Sequence, residues 1–103
     1  MSWTFTATLW RWEARSEGGW QFVTVPPEVS DELDETAGPD RAGFGSIKVS
    51  VRMGTSSWRT SVFPSPGESG FVLPVKKAVR TAQGLDMGSI VEVVLAIAGP
   101  DAA

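Results

Sequence analysis

Phe71-Val72-Leu73-Pro74 sets the architecture of this chain, because a helical pattern begins directly behind it. Three β-forming apolar residues end in a proline, which lacks a backbone donor and fixes φ near the value of a helix start. The apolar residues that follow recur at helical spacing, and they are Val75, Ala78, Val79 and Ala82. Gly84 then supplies a C-terminal cap. The segment therefore predicts a short strand at 71–73 that leads into a helix at 75–83.

A fainter copy of this pattern occurs earlier in the chain. Phe22-Val23-Thr24-Val25-Pro26 reads as an apolar strand that ends in proline, and an acidic helix is predicted directly behind it at 27–36. Pro27 suits the first helical turn, and acidic residues favour the positive end of a helix dipole. Two such units in one small domain predict two similar halves that close a single barrel.

The remaining strands follow from the alternation of apolar and polar residues. They are predicted at 3–15, 20–25, 47–53, 58–63 and 90–97. In the first of them the alternation changes phase between Leu9 and Trp10, which is typical of a bulge or of a strand that leaves one sheet for another at a barrel corner. We therefore predict a mainly β fold, a barrel of about six strands capped by two short α-helices. The barrel forms a single domain at 3–98, followed by a C-terminal tail at 99–103.

The composition excludes several kinds of site. The 103 residues contain no Cys, no His and no Tyr, which rules out the usual zinc sites and any serine or cysteine nucleophile with a histidine base. The acidic residues of the first helix lack the spacing of a calcium loop, so we expect a solvated face, no metal and no cofactor. No signal peptide and no apolar run of about 18–20 residues is present, so we expect a cytoplasmic protein without a membrane association.

Charge is distributed unevenly along the chain. Residues 1–40 carry two basic and eight acidic side chains, whereas residues 41–103 carry seven basic and four acidic ones. Solubility and helix-end electrostatics are one explanation of this asymmetry. The other is a basic surface that meets an anion.

A basic cluster on the second helix is the main candidate site. Lys76, Lys77 and Arg80 stand three and four residues apart, so they share one face of the predicted helix. Cations near a helix N-terminus cost stability, but backbone amides and cations together are what an anion site needs. Arg59 and Ser61, on a neighbouring strand, are added to this candidate anion site. The alternative is structural, with the lysines lying over apolar surface or pairing with the acidic helix.

Tryptophan supplies a second candidate surface. We expect the five tryptophans to be mainly core, because a small domain without disulfides needs large apolar side chains. Trp10 and Trp12 follow the change of phase, and if it leaves them outside they form an apolar interface patch.

Several segments carry a resemblance to known families. Phe5 to Trp10, Trp20 to Pro26, Gly43 to Ser46, Trp58 to Pro64 and Leu73 to Arg80 resemble the domain-of-unknown-function family 1905, over roughly residues 3–98. The strand-Pro-helix-Gly-Leu-x-x-Gly-strand unit is similar to the half-unit of AbrB/MazE-type double-split β-barrels. The resemblance implies a single-chain double-split β-barrel, or pseudo-barrel, and no established activity. Ser89 departs from the family pattern, which usually has Asp there.

Three classes of function remain open. The first is a non-catalytic binding module for an anionic small molecule or a protein segment, as a monomer or weak homodimer. The second is an AbrB-like nucleic-acid-binding regulator, which ranks lower because DNA requires a broadly basic face and the pI of this chain is about 4.8. We therefore expect no binding to nucleic acid. The third is an enzyme, for which no nucleophile–base pair can be named.

Overall fold

The computed structural model describes residues 2–11, 21–38, 45–65 and 70–98. The strands in these ranges are β1 (Ser2–Thr8), β2 (Trp10–Arg11), β3 (Gln21–Thr24), β4 (Ile47–Met53), β5 (Ser56–Pro64), β6 (Phe71–Pro74) and β7 (Ile90–Ile97). The helices are α1 (Pro27–Ala37) and α2 (Lys77–Gln83). Trp12, Trp20 and the predicted tail at 99–103 lie outside the described residues.

The strands form one antiparallel sheet in the order β1-β7-β4-β5-β6-β3-β2. β1 and β2 are consecutive parts of one segment, so the order begins and ends on the same stretch of chain, and β1 also contacts β3. The sheet therefore curls round as a half-barrel. This confirms the predicted mainly β, barrel-like fold of about six main strands with two helices.

Leu9 is the point at which the first segment passes from one side of the curled sheet to the other. β1 pairs with β7, whereas β2 pairs with β3. Leu9 itself is buried, its N–H donates to Ser89 O at 2.8 Å, and its carbonyl accepts from Gly88 N at 2.8 Å. The change of phase in the sequence is thus confirmed as a change of pairing partner at a barrel corner.

The two strand-to-helix units are related by an approximate two-fold rotation. β3 and β6 pair antiparallel with Val23 opposite Leu73. Val25 N donates to Phe71 O, and Val75 N donates to Gln21 O, both at 2.9 Å. A shift of 50 residues takes the donor of each bond to the donor of the other, and likewise for the acceptors. The same shift takes Pro27, the first residue of α1, to Lys77, the first residue of α2. The two described strand-to-helix units therefore repeat one backbone arrangement, as the duplication proposed from the sequence requires.

The sequence analysis aligned Pro26 with Pro74 as equivalent residues of the two units, and this alignment was wrong by two residues. Pro26 corresponds to Lys76 rather than to Pro74, because Pro26 and Lys76 are the residues that cap the N-termini of their helices. Pro74 remains within β6, opposite Phe22. Because Val75 N is still held by a strand partner, α2 begins at Lys77 instead of the predicted residue 75.

The core lies inside the curl of the sheet and beneath both helices. The largest fully buried side chains are those of Leu9, Leu33, Met53, Leu73 and Leu95. Leu33 comes from α1, and Val79 of α2 joins the same cluster. Trp3 is buried and Trp58 packs against the cluster, so both lie in or against the core as predicted. Alternate residues of the strands are thereby directed to the opposite, solvent-facing side.

Candidate functional site

The β4–β5 hairpin presents a row of polar and charged side chains on its outer side. In β4 the residues Ile47, Val49, Val51 and Met53 are buried in alternation, which places the residues between them outside. In β5, Val62 is buried and Trp58 packs on the core, so the alternate positions again face outward. The outward side chains are those of Lys48, Ser50 and Arg52 on β4, and of Ser57, Arg59 and Ser61 on β5.

The register of the hairpin sets each of these cations opposite a serine. Lys48 pairs with Ser61, Ser50 with Arg59, and Arg52 with Ser57. Arg59 is consequently the diagonal neighbour of both Lys48 and Arg52, at a distance of about 7–8 Å between backbones. Lys48, Arg52 and Arg59 are all exposed, and we call these three residues the basic face.

An open groove of about 500 Å³ lies between the two arginines of this face and β7. Its lining residues are Ser50, Val51, Arg52, Ser57, Trp58, Arg59, Val94 and Ala96. Its polar part is formed by arginines and serines of β4 and β5. Its apolar part comes from β7, where Ala96 stands opposite Ser50 and Val94 opposite Arg52.

Within the described part of the chain, the basic face has an acidic neighbour in Glu92, which stands diagonal to Arg52 across β4 and β7. In that part of the chain, no ion pair involves Lys48, Arg52 or Arg59. No Asp or Glu is among the described residues that line the groove, and the exposed Glu92 stands two residues beyond Val94 on β7. The three cations stand at diagonal positions and each lies opposite a serine, so an anion placed between them would be attracted by more than one of them.

The residues of the predicted anion site on α2 differ in their surroundings. Lys76 and Lys77 are exposed at the start of the helix. Arg80 is half-buried, and its Nε donates to Val75 O at 3.1 Å, so part of its guanidinium binds the chain's own backbone.

Arg59 and Ser61 lie on a different side of the sheet from the α2 cluster. α2 covers the core side of β5, where Val79 is buried and Gln83 Nε2 donates to Ser56 Oγ at 2.9 Å. Arg59 and Ser61 point to the outer side. The structure therefore groups these two residues with Lys48 and Arg52 rather than with Lys76 and Lys77.

Trp10 packs along β3. Its indole Nε1 donates to Thr24 Oγ1 at 3.0 Å, and its ring centroid lies 5.2 Å from that of Phe22. Trp10, one of the two residues of the proposed interface patch, thus contacts β3 of its own domain. Trp12, the other half, lies outside the described residues.

Lys48 and Arg52 are the site residues that sequence reasoning missed. Both alternate with the buried apolar residues of β4, and that alternation places them on its solvent-facing side. The alternation does not contain the register of the β4–β5 hairpin, and it is this register that sets Lys48 and Arg52 diagonal to Arg59. That register depends on the length of the turn at Gly54 and Thr55.

Two further findings bear on the kind of site. In the ranges that the structure covers, no group of three His, Cys, Asp or Glu side chains is placed to hold a metal ion. No helix in those ranges combines the length and apolar character needed to cross a membrane.

Comparisons with known proteins give one result. A family model described as a domain of unknown function, DUF1905, matches residues 5–95. The search of curated proteins found no match.

Proposed function

The chain belongs to the DUF1905 family of domains of unknown function, and we propose that it is a non-catalytic binding module for an anionic small molecule or protein segment. The observation that supports this proposal is the basic face, on which two exposed arginines line one groove and the exposed Lys48 stands diagonal to Arg59. Arginine offers a planar fork of donors that suits carboxylates and phosphates, and serine hydroxyls add further donors.

The size of the groove favours a compact ligand. Its volume of about 500 Å³ lies within the range of roughly 300–1,000 Å³ that small-molecule pockets span. Small side chains, those of Ser50, Ser57 and Ala96, line it beside the longer arginines. We therefore expect an anion of small-molecule size there.

The chemistry of the lining residues favours binding over catalysis. A guanidinium is permanently protonated and cannot serve as a base, and a serine hydroxyl needs a base to become a nucleophile. The described lining residues supply arginine and serine side chains and no imidazole, thiol or carboxylate. Such a set orients and neutralises an anion. An enzymatic role remains the third hypothesis.

The AbrB-like nucleic-acid-binding regulator remains the second hypothesis. In its favour is the two-fold relation of the halves, since a symmetric barrel can present two equivalent surfaces to a duplex. Against it is the limited extent of the basic face, which covers β4 and β5 and meets Glu92 on β7. The cytoplasmic location, the monomeric or weakly dimeric state and the anion contact of Lys76 and Lys77 also stay predictions.

A thermal-shift experiment tests the proposal. Melting temperatures of the full chain are measured with phosphate, sulfate, acetate and citrate at low millimolar concentration in a constant excess of chloride, because at high concentration kosmotropic anions raise the melting temperature without binding a site. A ligand that binds only the folded state raises the melting temperature, and we expect this for at least one of the four. The Arg59→Gln variant, in which the increase should be smaller, is the control. Equal melting temperatures with each of the four anions and with chloride alone would overturn the proposal.

A further inference from the structure

Resting on the proposed function, we propose that the ligand of the basic face is an organic phosphate. In this arrangement a phosphate monoester lies between Arg52 and Arg59, and its apolar part lies over Val94 and Ala96. The geometry that points to this ligand is a pair of diagonal arginines directly beside an apolar strip.

The two arginines favour a phosphoryl group over a carboxylate. A carboxylate has two oxygens, and one guanidinium fork can occupy both. A phosphate monoester carries three terminal oxygens and close to two negative charges near neutral pH. It can therefore accept from Arg52 and Arg59 together, while Ser50 and Ser57, which also line the groove, supply hydroxyl donors between them.

The apolar strip indicates that more than an inorganic ion binds. Val94 stands opposite Arg52, and Ala96 opposite Ser50, so the apolar surface begins one strand away from Arg52 and two strands away from Arg59. Both side chains are half-buried and line the groove. A flat or aliphatic group attached to the phosphate would remove this surface from water, which inorganic phosphate cannot do.

The layout of charge favours a small molecule over an acidic protein segment. The cations are confined to β4 and β5, and Glu92 ends the apolar strip on β7 with a carboxylate. An acidic segment that extended along the strip would bring its own carboxylates to Glu92. A single compact charge beside an apolar group fits this face, whereas a row of negative charges does not.

Isothermal titration calorimetry on the full chain tests the inference. The probes are phenyl phosphate, inorganic phosphate and benzoate at about pH 8, where a phosphate monoester with a second pKa near 6 is a dianion. The variants are Arg52→Gln, Arg59→Gln and Val94→Thr, with Lys77→Gln as the variant of the alternative anion site on α2. Thr36→Glu, at an exposed position on α1, is the control for a change of one unit of charge elsewhere. Arg52→Lys keeps the charge and removes the fork, and circular dichroism checks that each variant is folded.

We expect phenyl phosphate to bind more tightly than either of the other probes. Each arginine variant should weaken its binding by roughly tenfold or more, since hydrogen bonds to charged groups are among the stronger ones. Val94→Thr should weaken phenyl phosphate and leave inorganic phosphate unchanged. Thr36→Glu should leave both unchanged.

The other outcomes separate this inference from the function it rests on. Benzoate that binds as tightly as phenyl phosphate would overturn the phosphate class and leave an anion-binding module in place. Equal affinities for phenyl and inorganic phosphate would overturn the apolar part of the ligand. Phosphate binding lost in Lys77→Gln and retained in the arginine variants would overturn the site. Absence of binding by every probe, together with equal melting temperatures in the salts above, would overturn both proposals.

Discussion

Ser30 and Arg80 occupy equivalent places in the two halves, and each donates a side-chain hydrogen bond to the backbone carbonyl five residues before it. Ser30 Oγ lies 3.3 Å from Val25 O, and Arg80 Nε lies 3.1 Å from Val75 O. Each bond joins a helix to the residue that follows its preceding strand. The two halves therefore keep one backbone arrangement while the side chain that secures it differs, which gives Arg80 a structural role beside the anion contact predicted for it.

Replacement of Ser30 by alanine should destabilise the domain. Ser30 is buried, and besides its bond to Val25 its Oγ accepts from Phe71 N at 3.2 Å, so it links the first half to the second. Loss of buried hydrogen bonds of this kind costs about 1–3 kcal/mol in the free energy of unfolding. Urea denaturation measures the change. Thr81→Ala, an exposed polar position on α2, should stay within about 0.5 kcal/mol of the wild type, and an equally small effect for Ser30→Ala would contradict the linking role.

Gly54→Ala should be more harmful than Gly84→Ala. Both glycines have left-handed backbone, with φ of 58° and 63°. A Cβ at Gly54 would overlap Gln83 Oε1, whereas a Cβ at Gly84 would meet nothing within 4 Å. The comparison therefore isolates the steric contact from the backbone strain, which is of order 1 kcal/mol at each site.

The additional loss of stability in Gly54→Ala should arise from displacement of the Gln83 side chain. Gln83 Nε2 donates to Thr55 Oγ1 at 3.0 Å and to Ser56 Oγ at 2.9 Å, which holds α2 against the β4–β5 turn. Displacement of this side chain should add about 1 kcal/mol to the loss at Gly54. Thermal and urea denaturation should show that Gln83→Ala removes most of the difference between the two glycine variants. Full additivity of Gly54→Ala and Gln83→Ala would argue against a shared contact.

The double substitution Lys76→Glu and Lys77→Glu should leave stability unchanged or raise it slightly. Both lysines are exposed, and neither has an ion pair within the described ranges. Acidic residues suit the positive end of a helix, and each such change near an exposed helix end amounts to about 0.3–1 kcal/mol at low salt. Ala82→Glu, at the other end of the helix, should have the opposite sign. A clear loss of stability on urea titration of the double variant would show that the lysines are structurally paired and would remove them as an anion site.

Duplex DNA should not bind specifically. The formal net charge is −3, and the basic face is confined to two strands, so few phosphates can be neutralised. Any weak retention on a DNA column should fall steeply with added salt. Fluorescence anisotropy at physiological salt checks this with several duplexes. Sub-micromolar binding to one sequence that is lost in Lys76→Ala and Arg80→Ala would place the regulator ahead of the binding module.

The positions of the strands and helices could be predicted from the sequence more fully than the pairing between them. Alternation and the proline-ended strands placed the strands and both helices, since burial of one face imposes the period of each element. The phase change at Leu9 correctly indicated a corner. The alignment of Pro26 with Pro74 failed because a proline fixes its own φ and removes its own donor without ending a strand at that residue. Pro74 lies within β6, opposite Phe22.

The candidate site was only partly predictable for a related reason. Arg59 was named in the candidate anion site, and the alternation within 47–53 is enough to place Lys48 and Arg52 toward solvent. Their proximity depends on the register of the hairpin, which no periodicity within a single strand contains. Nor does helical spacing reveal that Arg80 reaches back to Val75.

The pairing of β1 with β7 also has a consequence during synthesis on the ribosome. Of the strands that the structure describes, β1 is translated before all the others and β7 after them, and β4 borders β7 as well. Until β7 emerges, β1 and β4 each have an unpaired edge, and long-range pairing of this kind slows folding. Lys48 and Arg52 project from β4 throughout that interval, and charged side chains on an open edge disfavour its association with other nascent chains.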